Sequence, residues 1–276
     1  MNSPNDKMIK FRVQRYIADK DPDTFFQEYD VPVKKGLTVL DALLWIKENL
    51  DSSLSIRYSC RMGICGSCGM YINGLPRLAC QTQVLFLESD VVEVKPLPNY
   101  PVLRDLIPDL MPMLEKHRAV KPWIIRPDTM PDVEPKKELK QTPEEIEEYI
   151  QFSYCIKCGV CVSACPTAAT DKQFLGPQAL GQAYRYSADS RDEGVDERSD
   201  AVDLSHGMVN CHLAGACSEA CPKGVDPALG IQLLKREVVL HSWGLKGFKK
   251  GAPEMPPMEK NLKPGIPPAP ARTVKK

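Results

Sequence analysis

Cys155, Cys158, Cys161 and Cys165 stand in the spacing C-x2-C-x2-C-x3-C-P, closed by Pro166. Three thiolates two residues apart can converge on one face of a cubane iron–sulfur cluster, while the thiolate before the proline points away, towards a second cluster. A partner run is therefore required, and it is found from Cys211 through Cys217 to Cys221 and Pro222. Laid over the first, it reads C-x2-A-x2-C-x3-C-P, with Ala214 where the second cysteine would stand. If each run lends its last thiolate to the other's cluster, Cys155, Cys158, Cys161 and Cys221 hold a 4Fe-4S cluster. Cys165, Cys211 and Cys217 then leave one corner without a thiolate. A corner with no ligand tends to lose its iron, so the second centre is expected to be 3Fe-4S. Zinc is the competing chemistry, because C-x2-C is also zinc spacing. Zinc, however, has no need of two interleaved runs each closed by Cys-Pro.

Nearer the N-terminus, Cys60, Cys65 and Cys68 follow C-x4-C-x2-C, with Cys80 as a distant fourth. This is the spacing of plant-type 2Fe-2S ferredoxins. Gly63, Gly66 and Gly69 let backbone N–H groups approach sulfur where a Cβ would obstruct them, and such hydrogen bonds help to set a cluster's potential. A bare flexible or phosphate-binding glycine loop would not need four cysteines at these intervals. The three groups account for all eleven cysteines. An odd number in tight clusters suits metal ligation in a reducing compartment better than a disulfide framework.

The elements that must position these groups follow from periodicity. Ile9, Phe11 and Val13 alternate with Lys10, Arg12 and Gln14, and Tyr29, Val31 and Val33 repeat the alternation, so two half-buried strands are expected, joined by a long turn around Asp19 to Asp23. Thr38 and Asp41 form a capping box ahead of Val39, Leu40, Leu43, Leu44 and Leu50 at helical spacing. Asn73-Gly74 between Met70–Ile72 and Leu75–Leu78 predicts a hairpin with a type I′ turn that returns the chain to present Cys80. Val92 and Val94 alternate as a closing strand. Strand, strand, helix, hairpin and strand make a β-grasp domain.

Ten prolines lie between Pro96 and Pro143, where only a short helix near Leu110 to Lys116 is expected, and the stretch is read as an interdomain connection. Thr142, Pro143 and Glu145 open a helix that delivers Cys155. Gly176-Pro177 opens another, to about Asp189, and Asp226-Pro227 a third, with Leu229, Leu233, Leu234 and Val238 on one side. The fold class is α+β: a 2Fe-2S β-grasp domain at 1–105, the connection at 106–141, a helical ferredoxin-like two-cluster domain at 142–243, and an extended basic, proline-rich tail at 244–276. From Lys246 to Lys276 the chain holds seven prolines, seven lysines and an arginine against two glutamates, which cannot bury a core.

A chain of 276 residues has room for two domains, and 36 basic residues balance 36 acidic ones, which argues against a nucleic-acid partner. No apolar run is long enough to span a bilayer, and the polar start lacks the apolar core of a secretory signal, so a cytoplasmic or equivalently reducing location is expected. Three one-electron carriers without a catalytic acid, base or nucleophile make the chain a wire. No G-x-G-x-x-G after a strand marks a dinucleotide fold, so the donor and acceptor cofactors are expected on partners.

The cysteine order, together with Cys60-Arg61-x-Gly63-x-Cys65-Gly66-x-Cys68, Asn73-Gly74, Gly176-Pro177, Arg185-Tyr186-x-x-Asp189-Ser190-Arg191-Asp192 and Cys211-His212, resembles the iron-sulfur subunit of succinate dehydrogenase and fumarate reductase (complex II) over roughly residues 8–243. The resemblance implies a flavoprotein partner with covalent FAD, where succinate and fumarate interconvert, and an integral membrane anchor beside which quinone binds near the three-iron centre. It implies a peripheral position on the cytoplasmic side of the inner (plasma) membrane, held by anchor subunits, and the order flavin, two-iron, four-iron, three-iron, quinone. Pro166 and His212 match positions that border the quinone pocket, and Ala214 agrees with the vacant corner. Many ubiquinone-reducing members carry a tryptophan shortly after the Cys-Pro, whereas this chain reads Thr167-Ala-Ala-Thr-Asp171, a departure that favours menaquinone or another anchor type. The competing reading is a soluble multi-cluster ferredoxin-like carrier for another reductase; neither the Arg185 to Asp192 match nor a three-iron corner is demanded by it.

Overall fold

The computed structural model describes residues 7–17, 23–126 and 139–245. The expected turn around Asp19 to Asp23 lies almost wholly outside the described residues, and the basic tail from Lys246 onwards lies outside them altogether.

Strand β1 (Lys7–Arg15) runs antiparallel to β2 (Phe25–Val33), with Phe11 opposite Tyr29. Helix α1 (Val39–Asn49) follows, then β3 (Gly69–Ile72), β4 (Leu75–Leu78) and β5 (Val91–Lys95). β5 lies parallel to β1 and antiparallel to β3, giving a mixed sheet in the order β2-β1-β5-β3-β4. Alternation puts Ile9, Phe11, Val13, Val31, Val33, Val92 and Val94 in one core with Val39, Leu40, Leu43 and Ile46 of α1, the β-grasp arrangement. Thr38 caps α1: its hydroxyl accepts from Asp41 N at 3.1 Å, and the Asp41 carboxylate accepts from Thr38 N at 3.1 Å. Leu50, expected among the helix's apolar residues, instead follows its end and is 52 % exposed.

The chain turns away there because Asp51 is drawn to Arg15. Arg15 is 3 % exposed; it donates to Asp105 Oδ1 at 3.0 Å, to Tyr29 Oη and Gln27 Oε1 at 2.8 Å, to Ser53 Oγ at 2.8 Å, and to Asp51. Asp105, fully buried, also accepts from the amides of Tyr16 and Ser55. One guanidinium thus ties the ends of β1, β2 and α1 to the chain leaving the sheet. Burial alone would raise the Asp51 carboxyl, but hydrogen bonds from Ser53, Tyr29 and Arg15 hold it well below the usual carboxylate range.

The stretch expected as a connection is folded where it is described. It forms a small hairpin, β6 (Val102–Arg104) and β7 (Ile107–Pro108), and helix α2 (Met111–Ala119). Val120, just past α2, is buried in the core of the helical domain. Arg198, 1 % exposed, donates to the carbonyls of Lys121 and Trp123 and pairs with buried Asp192. Prolines punctuate this stretch without preventing its docking, because its polar backbone groups find partners on the helical domain.

That domain contains α3 (Pro143–Glu147), α4 (Ile150–Ser153), α5 (Val160–Ser163), α6 (Pro166–Thr170), α7 (Gly176–Ser187), α8 (Val195–Val202), α9 (Ala216–Glu219) and α10 (Pro227–Ser242). The helix expected from Thr142 is split in two: its capping box is present, but Tyr149 breaks the run, its hydroxyl donating to Gln141 Oε1 at 2.7 Å. Leu180, Ala183 and Tyr184 of α7 pack with Ile231, Leu234 and Val238 of α10 and with Phe152, whose ring meets Tyr184 edge-on at 5.1 Å.

Arg15→Met strands Asp105 as an unpaired buried charge and is expected to destabilise the N-terminal domain by about 3–5 kcal/mol, read as a lower thermal midpoint by circular dichroism. Because the folded-state pKa of Asp51 is depressed, its contribution is full above the ordinary carboxylate value, about 4, and is lost as pH falls further. The stability gap between the wild type and Asp51→Asn should therefore be widest near neutral pH and close on acidification.

Candidate metal centres

The first cysteine group sits on the loop between α1 and β3. Left-handed residues Arg61 (φ 57°), Gly63 (φ 71°) and Gly66 (φ 72°) curl this loop so that its amides face inward. Met62, Ile64 and Cys65 donate N–H to Cys60 Sγ at 3.4, 3.3 and 3.2 Å. Cys60 and Ser67 donate to Cys65 Sγ at 3.4 and 3.5 Å. Hydrogen bonds from Ser67, then from Cys60, pull the Cys65 thiol down to about 6. The β3–β4 hairpin turns at Asn73 (φ 45°) and Gly74 (φ 79°), both left-handed as a type I′ turn requires. Ala79 N then donates to Cys68 O at 2.9 Å, which brings Cys80 beside Cys68. Burial, with Cys68 adjacent, pushes the Cys80 thiol up to about 12.

The two runs in the helical domain share one backbone. Lys157 (φ 53°) and Gly159 (φ 83°) precede α5 as Leu213 (φ 59°) and Gly215 (φ 75°) precede α9. Each loop therefore folds alike with or without its middle cysteine. Cys155, Cys158, Cys161 and Cys221 line one cavity, together with Gln178 and Gln182. Cys165, Cys211 and Cys217 line another, together with Pro166, His212 and Ala214. Each run's last cysteine thus stands with the opposite run. Burial and then neighbouring cysteines push Cys161 well above its ordinary value, burial takes Cys158 up to about 12, and burial takes Cys217 up to about 11 despite a hydrogen bond from Ser218. Thiols so placed ionise together only when cations share the cavity. Among the described residues no group of three or more His, Cys, Asp or Glu side chains is arranged around a point as a single metal ion requires. Sulfur donors spread around a cavity suit a polynuclear cluster, and the residues present fit one.

The three groups touch in sequence. A Cβ built on Gly66 would lie 2.6 Å from Cys158 Cβ, so the loop of the first group abuts that of the second. Helix α5 carries Cys161 at one cavity and leads into Cys165 at the next. Asn99 donates its side-chain amide to the carbonyls of Val162, Ser163 and Cys165 at 2.9, 3.2 and 3.3 Å, and Tyr100 Oη donates to Gly159 O at 3.0 Å. Pro166 and His212 come together at the mouth of the third site, both exposed. Asn99, Tyr100 and Gln178 were not singled out from sequence. An Asn after Pro98 reads as a turn, and only the fold shows which carbonyls it reaches.

Residues 10–115 match the 2Fe-2S iron-sulfur cluster binding domain family, and residues 151–225 match the 4Fe-4S dicluster domain family. The fumarate reductase iron-sulfur subunit of Mycobacterium tuberculosis is 47 % identical over 85 % of this chain and 94 % of its own length. The chain belongs to the succinate dehydrogenase and fumarate reductase iron-sulfur subunits. The succinate dehydrogenase iron-sulfur subunit of Paracoccus denitrificans is 39 % identical over 83 % of this chain and 88 % of its own. A chain of the Mycobacterium smegmatis Sdh1 complex in the apo form superposes with a TM-score of 0.74 at 27 % identity, over 86 % of this chain and 98 % of that one. As an iron-sulfur subunit the chain carries a two-iron domain and a dicluster domain, and the contact between Gly66 and Cys158 is where those two domains meet.

Gly66→Ala and Gly74→Ala separate conformational strain from that contact. Both glycines have positive φ, but nothing lies within 4 Å of a Cβ on Gly74. Gly74→Ala is expected to cost about 1–2 kcal/mol, the penalty of the left-handed region. Gly66→Ala should lower the thermal midpoint further and reduce the two-iron EPR spin count per chain. Equal effects would remove the close approach as the cause.

Proposed function

We propose that this iron-sulfur subunit passes electrons singly between a flavin on a partner flavoprotein and a quinone at a membrane anchor. Cys60, Cys65, Cys68 and Cys80 hold the 2Fe-2S cluster, Cys155, Cys158, Cys161 and Cys221 the 4Fe-4S cluster, and Cys165, Cys211 and Cys217 a 3Fe-4S cluster. The observation that carries this reading is the unbroken row of thiol-lined sites, joined at Gly66 and Cys158 and again through α5. Bound clusters supply one-electron chemistry. The chain's own residues place the thiolates, direct amides at Cys60 and Cys65, and bury Cys161 away from water.

The third site faces outward, as a quinone contact needs. Pro166, His212 and Ala214 line it and are exposed, and Leu213, in the same wall, is 50 % exposed. An apolar surface around a polar imidazole suits a quinone ring and an apolar anchor. Among the described residues no helix is long and apolar enough to cross a membrane, so attachment on the cytoplasmic side would come through the anchor.

EPR of the purified complex tests the reading. A three-iron signal is expected as isolated, a two-iron signal on adding succinate, and a four-iron signal with dithionite. Iron that succinate never reduces, with the other subunits present, would withdraw the flavoprotein and quinone and leave a general electron carrier. Ala214→Cys is expected to convert the three-iron centre to a four-iron one of lower potential; an unchanged three-iron signal in that variant would overturn the ligand set. His212→Ala should lower quinone-linked turnover about tenfold or more, as loss of a proton-transfer or orienting group does, while turnover with an artificial acceptor stays near the wild type. Equal losses would place His212 outside the quinone contact.

A further inference from the structure

Gln178 lies in the first turn of α7, 3 % exposed, with its side chain in the wall of the cavity lined by Cys155, Cys158, Cys161 and Cys221. Its Nε2 is 3.2 Å from His117 Nδ1 on α2 and 4.0 Å from Cys155 Sγ, the outer end of the N–H···S range. Its Oε1 is the one buried side-chain polar atom without a hydrogen-bond partner among the described residues. Gln182, one turn on, lines the same cavity, but its Nε2 is taken by Phe152 O at 2.8 Å.

The orphaned oxygen is informative because buried polar groups are almost always satisfied. An amide has two N–H donors in a fixed fork. In the observed orientation one reaches the imidazole and the other faces the sulfur. Turned over, the oxygen would confront the Cys155 sulfur, whose iron-bound form is anionic, and both N–H groups would lose their partners. Burial, and then Lys157, push His117 down to about 4, so at neutral pH its ring is uncharged and can offer Nδ1 as an acceptor. His117 therefore aims the amide, and the unmet oxygen is tolerated for the sake of the two donors.

We propose that Gln178 is a positioning residue that donates a side-chain N–H to the Cys155 thiolate of the four-iron cluster and raises that cluster's reduction potential. Adding an electron increases the negative charge on the cluster and its thiolates, so an N–H donor at sulfur stabilises the reduced state more than the oxidised one. Without it, the centre in the middle of the row would be harder to reduce. The inference rests on the assignment of Cys155, Cys158, Cys161 and Cys221 to the four-iron cluster.

The test is an EPR-monitored potentiometric titration of the whole complex carrying Gln178→Met, which keeps the length of the side chain and has no N–H. The four-iron midpoint potential is expected to shift downward, with the two-iron and three-iron potentials unmoved. A four-iron signal at the wild-type potential overturns the proposal, and so does an equal shift of all three centres. Gln178→Ala runs beside it, since alanine is small and favours helix. Loss of the four-iron signal in both variants, with or without loss of the whole helical domain, makes Gln178 a packing residue of the cavity wall and overturns the proposal. Absence of any four-iron signal in the wild-type complex would instead defeat the ligand assignment.

Discussion

The structure depends on a repulsion. Seven cysteines converge in the helical domain, and burial raises Cys155, Cys158, Cys161 and Cys217, while the charge of each neighbour raises them further. Protonated, these thiols pack as small apolar groups; ionised side by side in buried cavities, as cluster ligation requires, they would repel one another. Bound clusters would supply cations among those thiolates, so that metal binding and folding of the helical domain would be coupled. The helices around the cavities are short, α5 and α9 being four residues each, because their task is to hold sulfur at fixed places rather than to bury a continuous apolar stripe. The long helices α7 and α10 supply that stripe behind them.

The N-terminal domain solves the same problem differently. Its loop is partly exposed, and the sulfurs of Cys60 and Cys65 are met by backbone amides instead of being buried among other thiols. Amide dipoles take part of the role that cations take inside, which is why Cys65 moves down while Cys161 moves up. Between the two domains the fold leaves no slack. Gly66 lies against Cys158, Asn99 spans three carbonyls at the end of α5, and Arg198 grips the chain at Lys121 and Trp123. Electron transfer falls steeply with separation, so contacts that fix the distance between cysteine loops act on rate as well as on stability.

Most of the first domain was legible because its signals are local. Alternation in Ile9, Phe11 and Val13, the Thr38 cap and the Asn73-Gly74 turn each act within a few residues, and each is present in the fold. The cysteine runs were legible for the same reason, their spacing being a constraint on a single loop. What sequence did not reveal depends on partners far along the chain. Val120 is buried against helices that begin more than fifty residues later, α7 and α10. Arg15 reads as the polar end of a strand until Asp105 closes on it. The break at Tyr149 and the reach of Gln178 into a cavity likewise need the tertiary structure, since nothing in either residue's neighbours announces them.

The two halves of the helical domain show how little distinguishes two electron-transfer sites. Their loops share left-handed residues at matching positions, Lys157 with Leu213 and Gly159 with Gly215, so the backbone is indifferent to what the middle position carries. At that position one run has Cys158, buried against the loop of the first domain, and the other has Ala214, exposed at the surface. A thiol facing inward is available as a fourth donor in its cavity and makes the contact with the preceding loop. A methyl group facing outward offers no thiol, in the wall of the cavity that Pro166 and His212 also line. The same change that withholds a thiol therefore also leaves the last cavity in the row with an exposed wall at Ala214, Pro166 and His212.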